Sequence, residues 1–215
     1  MKVLITAGPT VEPIDPVRYL TNWSSGKMGY ALAAAAARRG HSVLLISGPT
    51  TLPLPDKVDF LPIESAEEMY QAVASQIGRC DLAIFAAAVA DYTPATVAEQ
   101  KIKKSGDEMI LTLKRTKDIL GSAREEMNFK GTLVGFAAET ENVEQNARDK
   151  CLRKSCDVVI ANDVSNKEIG FDSQENEVTL VYPDRSEALP RASKEHLAHE
   201  LIEVFEAIRE ESHTT

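Results

Sequence analysis

Residues 24–48 read SSGKMGYALAAAAARRGHSVLLISG, and this stretch decides the fold class. The alanine-rich part from Met28 to Arg39 is typical of an α-helix, because alanine has the highest helix propensity, and Gly40 suits the position just after a helix end. The apolar run HSVLLISG that follows is typical of a buried strand, as is KVLITA at residues 2–7. Strand, helix and strand in this order predict a βαβ unit with parallel strands.

The same alternation continues along the chain. Three more apolar runs predict strands: CDLAIFAAAVA (80–90), TLVGFAAET (132–140) and CDVVIANDV (156–164). Helical patterns cover residues 65–78, 141–155 and 193–211. We therefore predict a single α/β domain over residues 1–215, with a doubly wound, mostly parallel Rossmann-like sheet and helices on both faces. Such folds bind ligands at the carboxyl ends of their strands.

Two segments interrupt the alternation. Residues 101–116, KIKKSGDEMILTLKRT, have the pattern of a hairpin with a Ser-Gly-Asp turn. Residues 164–193 contain strand patterns without helical partners, and Val178, Leu180 and Tyr182 form an apolar edge. Because an isolated hairpin is marginal in water, we predict a protruding β arm that pairs with its twin in a homodimer and helps to cover the ligand site. A hairpin folded back on its own domain is the alternative.

Composition and charge limit the function classes. With 24 basic and 33 acidic residues, the chain has a formal net charge of −9, which argues against a nucleic-acid-binding surface. No apolar run reaches the roughly 20 residues that a membrane-spanning helix needs, so we expect no membrane partner. Three cysteines, and an N-terminus that opens directly into a strand, are typical of a cytoplasmic protein with reduced thiols. An anionic ligand would therefore need locally concentrated lysines and helix N-termini.

The segment SSGKMG, which opens the alanine-rich helix, is the first candidate for such a site. Ser24, Ser25, Gly26 and Lys27 combine hydroxyls, backbone N–H groups and a positive charge at a helix N-terminus, and we assign them to phosphate or substrate binding. An ordinary serine cap with a flexible glycine explains the segment equally well. The segment is not a Walker A loop, because Met28 stands where a Ser or Thr would hold magnesium.

Lysines cluster at two further places. Lys101, Lys103 and Lys104 fall within four residues, and we assign Lys104 to phosphate or substrate binding. In an acidic protein such a cluster also suits a solvated strand edge that discourages aggregation. Lys150 and Lys154 are four residues apart and share one face of a predicted helix, as exposed surface lysines often do.

The strand ends favour some nucleotide sites and disfavour others. Asp91 follows the third strand at the edge where ligands bind, although a turn-forming aspartate is the simpler explanation. No G-x-G-x-x-G follows the first strand, the second strand ends in ISGPT without an acidic residue for a ribose, and no tyrosine is followed four residues later by lysine. These features disfavour an NAD(P)-dependent Rossmann oxidoreductase, which stays an alternative together with a non-catalytic nucleotide-binding module.

Several segments, taken in order, resemble a known family: ITAGPTVEPIDPVRYLTNWSSGKMG, AAAVADYTP, KIKK, GFAAET, and IANDVS with GFDSQENEVTLV. They are similar to the phosphopantothenoylcysteine synthetases, the synthetase half of the bacterial bifunctional coenzyme A biosynthesis proteins. The resemblance runs from about residue 3 to about residue 205. It leaves open whether the chain is a free-standing synthetase or one half of a longer protein.

The resemblance implies a two-step ligase reaction. CTP, the co-substrate, activates the carboxylate of 4′-phosphopantothenate as an acyl-cytidylate and releases pyrophosphate. The cysteine amine then attacks, giving 4′-phosphopantothenoylcysteine and CMP. Mg²⁺ is the implied cofactor, held mainly by the nucleotide phosphates, and no residue of the chain is assigned as a metal ligand. The choice of CTP over ATP rests on the resemblance alone.

The resemblance also implies roles for individual residues. Lys101 matches the family's lysine for the activating step, in which an ammonium would neutralise charge at the α-phosphate. Asn22 matches an asparagine needed after activation, as a hydrogen-bond donor to the acyl oxygen. The family's nucleotide-binding positions correspond to these residues of the chain: Phe85, Ala86, Ala87, Asp91, Lys101, Lys117, Asp118, Ile119, Leu120, Phe136, Lys150 and Lys154. Thr116-Lys117 departs from the Asn-Pro that bacterial members often have there.

Overall fold

The computed structural model describes residues 1–104, 106–164 and 173–214, and the side chains up to residue 211 within that range. Its twelve strands are β1 (Lys2–Ala7), β2 (Val11–Asp15), β3 (Arg18–Thr21), β4 (Ser42–Ser47), β5 (Val58–Pro62), β6 (Leu82–Phe85), β7 (Tyr92–Pro94), β8 (Leu113–Arg115), β9 (Thr132–Glu139), β10 (Val158–Asp163), β11 (Glu175–Val181) and β12 (Ser186–Ser193). Its five α-helices are α1 (Lys27–Arg38), α2 (Ala66–Gln76), α3 (Ile119–Glu125), α4 (Val143–Arg153) and α5 (Lys194–Thr214). None of these helices is both long and apolar enough to cross a membrane, within the part of the chain that the structure describes.

Eight strands form the central sheet in the order β12-β11-β10-β9-β6-β1-β4-β5. The six strands from β10 to β5 are mutually parallel, and β11 and β12 extend the sheet antiparallel at one edge. Helices α1 and α5 pack on one face, and α2, α3 and α4 pack on the other. Side chains of β1 alternate between the two cores, with Ile5 on the α1 side and Leu4 on the α2 side. The predicted α/β fold class, with helices on both faces of a mostly parallel sheet, is confirmed.

Small residues bring α1 unusually close to the first strand. A Cβ at Gly29 would lie 2.5 Å from Ala7 Cβ, so only glycine fits between the helix and β1 at this point. Gly26, just before the helix, has φ +77°, and a Cβ there would lie 2.8 Å from Thr50 Cγ2. The N-terminus of α1 is consequently held close to the loops that leave β1 and β4, at the carboxyl edge of the sheet.

The prediction of a protruding arm is wrong for residues 173–193. Strand β11 pairs with β10 in register Ile160↔Leu180, so the segment continues the sheet of its own domain. Val178, Leu180 and Tyr182 are buried against the core that α1 and α5 cover. An antiparallel strand added at the sheet edge needs no crossover helix, which is why the strand–helix alternation failed to place it. Residues 165–172 of the predicted arm lie outside the described residues.

The expected hairpin over residues 101–116 is also wrong for the part that the structure describes. Residues 101–104 and 106–112 have no regular secondary structure, and β8 pairs antiparallel with β7, in register Tyr92↔Arg115. Ser105, in the predicted turn, lies outside the described residues. The third predicted strand ends at Phe85, and the chain after it runs beside Pro9, with Ala88 N donating to Gly8 O at 2.9 Å.

Candidate active site

A cavity of about 520 Å³ opens at the carboxyl edge of the sheet, above β1, β6 and β9. Most of the residues assigned to the nucleotide line it: Phe85, Ala87, Asp91, Lys117, Asp118, Ile119, Leu120, Phe136, Lys150 and Lys154. Six further residues line it that the sequence analysis did not assign: Thr6, Val89, Tyr92, Arg115, Thr116 and Arg153. The cavity therefore lies where doubly wound folds bind their ligands.

The ends of three strands build the inner part of the cavity. Thr6, near the end of β1, is buried, and its hydroxyl accepts a hydrogen bond from Ala87 N at 3.3 Å. Phe85 ends β6 and is buried, and Phe136 lies half-buried on β9. The aromatic side chains and the small Ala87 give this part an apolar, flat character that suits a planar ring.

Helix α4 and its C-cap residue, Lys154, supply three cations to the cavity. Lys150 Nζ is half-buried and donates to Phe136 O at 2.7 Å. Burial lowers the pKa of Lys150 below the ordinary lysine value, since a desolvated ammonium is disfavoured. Lys154 forms an ion pair with Asp118, and the exposed Arg153 lies between the two lysines in sequence. The four-residue spacing of Lys150 and Lys154 predicted that the two side chains point the same way, and both line the cavity.

The start of α3 forms a second wall. Asp118 is the N-cap of this helix, and its Oδ1 accepts from Gly121 N at 3.0 Å. Its other oxygen contacts Lys154, so one carboxylate links α3 to α4 across the cavity. Ile119 is buried beneath it in the core between the helices and the sheet.

Lys117 lies at the rim of the cavity, and its side chain contacts residues of helix α2. Its Nζ forms a 2.9 Å ion pair with Glu67 and lies 4.2 Å from the centroid of the Tyr70 ring. The hydrogen bond that Lys117 donates to the Glu67 carboxylate raises the pKa of Lys117. The residue that departs from the family pattern is therefore a fully charged lysine, anchored to a neighbouring helix.

The β7–β8 ribbon closes the third side. Thr116 N donates to Asp91 O at 3.0 Å, and the Thr116 hydroxyl donates to Ala90 O at 2.6 Å. These bonds fix the backbone of Asp91, while its side chain stays exposed towards the cavity. Arg115 pairs with Tyr92 across the ribbon, and both side chains line the cavity. No local pattern could reveal this pairing, because the two residues come from distant parts of the chain.

The two residues assigned to catalysis lie outside the cavity lining. Asn22 follows β3 and is exposed, and its Nδ2 donates to Ala88 O at 3.0 Å. Lys101 is exposed on the irregular segment that follows β7. Ala86, assigned to the nucleotide, and Lys104, assigned to a substrate phosphate, do not line the cavity either.

The predicted phosphate segment before α1 forms a separate place at the same sheet edge. Ser24 Oγ accepts from Gly26 N at 3.4 Å, and no side chain caps the helix among the described residues. Ser25 and Lys27 complete the segment, and none of the four residues lines the cavity. The N-terminus of a helix is a general place for anion binding, because backbone N–H groups point out of it.

The fold and the cavity together define a doubly wound α/β domain with a cation-lined ligand site at the carboxyl ends of its strands. The chain belongs to the family described as DNA/pantothenate metabolism flavoprotein, C-terminal domain, whose model matches residues 1–208. This finding confirms the family resemblance read from the sequence motifs.

Individual relatives agree with the family match. The chain is 50% identical over 208 residues to the coenzyme A biosynthesis bifunctional protein CoaBC of Vibrio vulnificus strain YJ016, covering 96% of this chain and 52% of that protein. It is 46% identical over 212 residues to the CoaBC protein of Bacillus subtilis strain 168, covering 98% and 52%. The crystal structure of the C-terminal domain of a CoaBC protein matches with a TM-score of 0.83 and 41% identity, covering 98% of this chain and 96% of that one. The chain thus spans about half the length of the curated relatives it matches.

Proposed function

We propose that this chain is a phosphopantothenate–cysteine ligase that uses CTP. The observation that carries the proposal is the cavity at the carboxyl edge of the sheet, which combines apolar aromatic walls with five cationic side chains in a chain of net charge −9. Those cations are Arg115, Lys117, Lys150, Arg153 and Lys154. A planar base and a polyanionic phosphate chain are the ligand that such a combination fits.

We assign the base to the region of Phe85 and Asp91, and the triphosphate to the α4 lysines. The exposed Asp91 carboxylate is an acceptor for the exocyclic amino group of cytosine, and its backbone is held by Thr116. Lys150 and Lys154 lie on one helix face and offer charge-assisted hydrogen bonds to phosphate oxygens. CTP itself, rather than another nucleotide, is a prediction that rests on the family resemblance.

Magnesium would enter with the nucleotide phosphates, where it neutralises their charge. Among the described residues, no group of three or more His, Cys, Asp or Glu side chains is placed to hold a metal ion. Asp91 and Asp118 are the carboxylates that line the cavity, and their oxygens are of the kind that Mg²⁺ prefers. Because Asp91 is assigned to the base, we expect only Asp118 of these two to lie near Mg²⁺ that is held mainly by phosphate oxygens.

In the first step, a carboxylate oxygen of 4′-phosphopantothenate attacks the α-phosphorus of CTP. The bond from that phosphorus to the bridging oxygen breaks, and pyrophosphate leaves. Lys101 would neutralise the charge that develops on the α-phosphate oxygens. In the second step, the cysteine amine attacks the acyl carbon, loses a proton, and CMP leaves with the electron pair of the broken acyl–oxygen bond. Asn22 would donate a hydrogen bond to the acyl oxygen as it becomes an oxyanion.

The direct test is substrate-dependent product release by the whole chain. Pyrophosphate release should require CTP, Mg²⁺ and 4′-phosphopantothenate together, and CMP release should additionally require cysteine. Equal turnover with ATP would overturn the choice of nucleotide. Binding of CTP without pyrophosphate release would instead identify a non-catalytic module, and quenching of NADH fluorescence on titration would favour an oxidoreductase.

Two substitutions test the division of the steps. Lys101→Gln should abolish pyrophosphate release, because a neutral amide cannot offset the charge at the phosphorus. Asn22→Ala should form the acyl-cytidylate and then slow by about 10²–10³-fold, the usual effect of losing one oxyanion donor. Lys130→Gln, at an exposed lysine outside the cavity, is the matched control. A block of activation by Asn22→Ala as complete as that of Lys101→Gln would refute this division.

We also propose that the chain is a homodimer that works in the cytoplasm. Among the described residues, β12 is the outermost strand of the sheet on its side and most of its residues are exposed, so its edge could pair with a second copy. Sedimentation velocity at micromolar concentration measures this, and a fully active monomer would remove the dimer proposal while leaving the ligase proposal intact.

A further inference from the structure

The turn between β2 and β3 contains a buried carboxylate. Asp15 is 4% exposed, and its Oδ1 accepts from Val17 N at 2.9 Å and from Arg18 N at 3.0 Å. These two bonds close the turn of the hairpin. These two bonds use only one of the two carboxylate oxygens of Asp15. The turn itself does not need the second oxygen.

The second oxygen binds a different part of the chain. Asp15 Oδ2 accepts from Ile102 N at 3.1 Å as well as from Arg18 Nε at 3.0 Å, and it forms an ion pair with the Arg18 guanidinium. Arg18 Nη2 in turn donates to Ile102 O at 2.9 Å. Both backbone polar groups of Ile102 are thus bound by side chains of the β2–β3 turn. These side-chain hydrogen bonds take the place of the backbone hydrogen bonds that a neighbouring strand would make with Ile102.

The bound residue lies in a segment without regular secondary structure among the described residues 101–104. Ile102 stands between Lys101 and Lys103. A backbone bond from Ala98 N to Ile14 O, at 3.0 Å, attaches the same segment to the hairpin three residues before Lys101. The Arg18 hydrogen bond holds the pKa of Asp15 well below its usual range, so the carboxylate stays charged at neutral pH.

The hairpin also leads directly to the other residue assigned to catalysis. Asn22 follows β3, and its Nδ2 donates to Ala88 O. Thr21 Oγ1, one residue earlier, donates to Thr10 O at 2.8 Å, which anchors the end of the hairpin to the loop after β1. The turn at one end of the hairpin binds the Lys101 segment, and the other end carries Asn22.

We propose that Asp15, acting with Arg18, is a positioning residue that fixes the backbone at Ile102 and thereby sets where Lys101 stands relative to Asn22. The inference rests on the proposed function, because it concerns the ligase step assigned to Lys101. Asp15 touches no substrate in this scheme. Its effect is transmitted through one residue of backbone, so its loss should affect activation and spare the later step.

The test is Asp15→Asn, which keeps the shape of the side chain but removes the charge and one acceptor oxygen. The Ile102 amide should exchange with solvent roughly tenfold faster or more, as expected when one hydrogen bond to a charged group is lost. Single-turnover pyrophosphate release should slow by about 10²-fold, the scale of a misplacement of about 1 Å. The dissociation constant for CTP should change less than about threefold, since the cavity lining is untouched. The acyl-cytidylate that the variant accumulates should react with cysteine at the wild-type rate.

The control is Asp107→Asn, at an exposed aspartate of the same irregular segment, which should match wild type in every measurement. An unchanged Ile102 exchange rate in folded Asp15→Asn would overturn the backbone contact. Faster exchange with normal pyrophosphate release, or with equal slowing of both steps, would overturn the positioning role. If wild type releases no pyrophosphate, the proposed function fails on that result alone, and the exchange data still decide the contact.

A second variant covers the case in which Asp15→Asn does not fold. Arg18→Lys keeps a positive charge beside Asp15 but lacks the planar fork that reaches Ile102 O. It should accelerate Ile102 exchange less than Asp15→Asn does, because the Ile102 N–H keeps its bond to Asp15, and it should still slow pyrophosphate release selectively. Wild-type exchange and wild-type kinetics in Arg18→Lys would refute the inference.

Discussion

Replacing Lys150 by methionine should weaken CTP binding strongly while leaving the fold intact. The Lys150 ammonium is already partly desolvated in the unliganded cavity, as its lowered pKa indicates. Binding of phosphate therefore needs less additional desolvation of this ammonium than it would for a lysine in water. Truncating one partner of a buried, hydrogen-bonded charge pair costs about 2–5 kcal/mol. Because Lys150 is half-buried, we expect the lower part of this range, about 2–3 kcal/mol, or roughly 30- to 150-fold in Kd.

Two opposing effects should nearly cancel in the free energy of unfolding. Methionine fills a similar volume, and it removes the free-energy cost of keeping a charged ammonium partly out of water. It also removes the hydrogen bond to Phe136 O, whose net contribution is about 1 kcal/mol. The free energy of unfolding in urea should therefore change by no more than about 1 kcal/mol.

Isothermal titration with CTP and Mg²⁺ measures the affinity, and urea denaturation of the same samples measures the stability. Lys130→Met, at an exposed lysine away from the cavity, is the matched control and should leave both unchanged. A Kd for Lys150→Met within threefold of wild type would refute the assignment of this lysine to the triphosphate. A large loss of stability would show that its role is structural instead.

Three further predictions follow from the same contacts. A bound triphosphate should raise the lowered pKa of Lys150 again, so CTP binding in alkaline buffer, just below the ordinary lysine pKa of about 10.4, should take up protons; titration heats independent of buffer ionisation would contradict this. Leu180→Ala removes a fully buried side chain and should lower the free energy of unfolding by about 2–5 kcal/mol, whereas Ile110→Ala, at a side chain 89% exposed, should change it by less than about 0.5 kcal/mol. The Arg39 hydrogen bonds lower the pKa of Glu206, so this group stabilises the fold above its unfolded-state pKa and less as the pH falls through its folded-state pKa; Glu206→Gln should flatten the acid limb of stability against pH, and an unchanged limb would refute the contribution.

The sheet was predictable from sequence where burial is complete. Most residues of KVLITA and HSVLLISG, such as Val3, Leu4 and Leu45, are buried on both faces of the sheet, as is usual in a central parallel strand. The alternation at Val178 and Leu180 carries less information, because it indicates one buried face without showing what buries it. The β11 strand adds to its own sheet, yet the same pattern fits a strand that pairs with another chain.

The candidate site shows a similar limit. Helical spacing placed Lys150 and Lys154 on one face, and Arg153 lies between them in sequence, so its presence in the cavity could have been anticipated. Arg115 and Tyr92 meet only because two short strands pair across an irregular segment. The contact of Asp15 with Ile102 likewise depends on tertiary structure, since no local rule relates a hairpin turn to a loop far along the chain.

The charge distribution explains how an acidic chain can offer a site to a polyanion. At physiological ionic strength, charges separated by more than about 8 Å are largely screened, so the acidic surface as a whole acts weakly on a ligand inside the cavity. Among the residues that line the cavity, five cations outnumber the two carboxylates, Asp91 and Asp118. A long polyanion such as nucleic acid would extend beyond the cavity and meet the acidic surface directly, whereas a nucleotide would not. The same net charge of −9 therefore disfavours one class of phosphate ligand and permits the other.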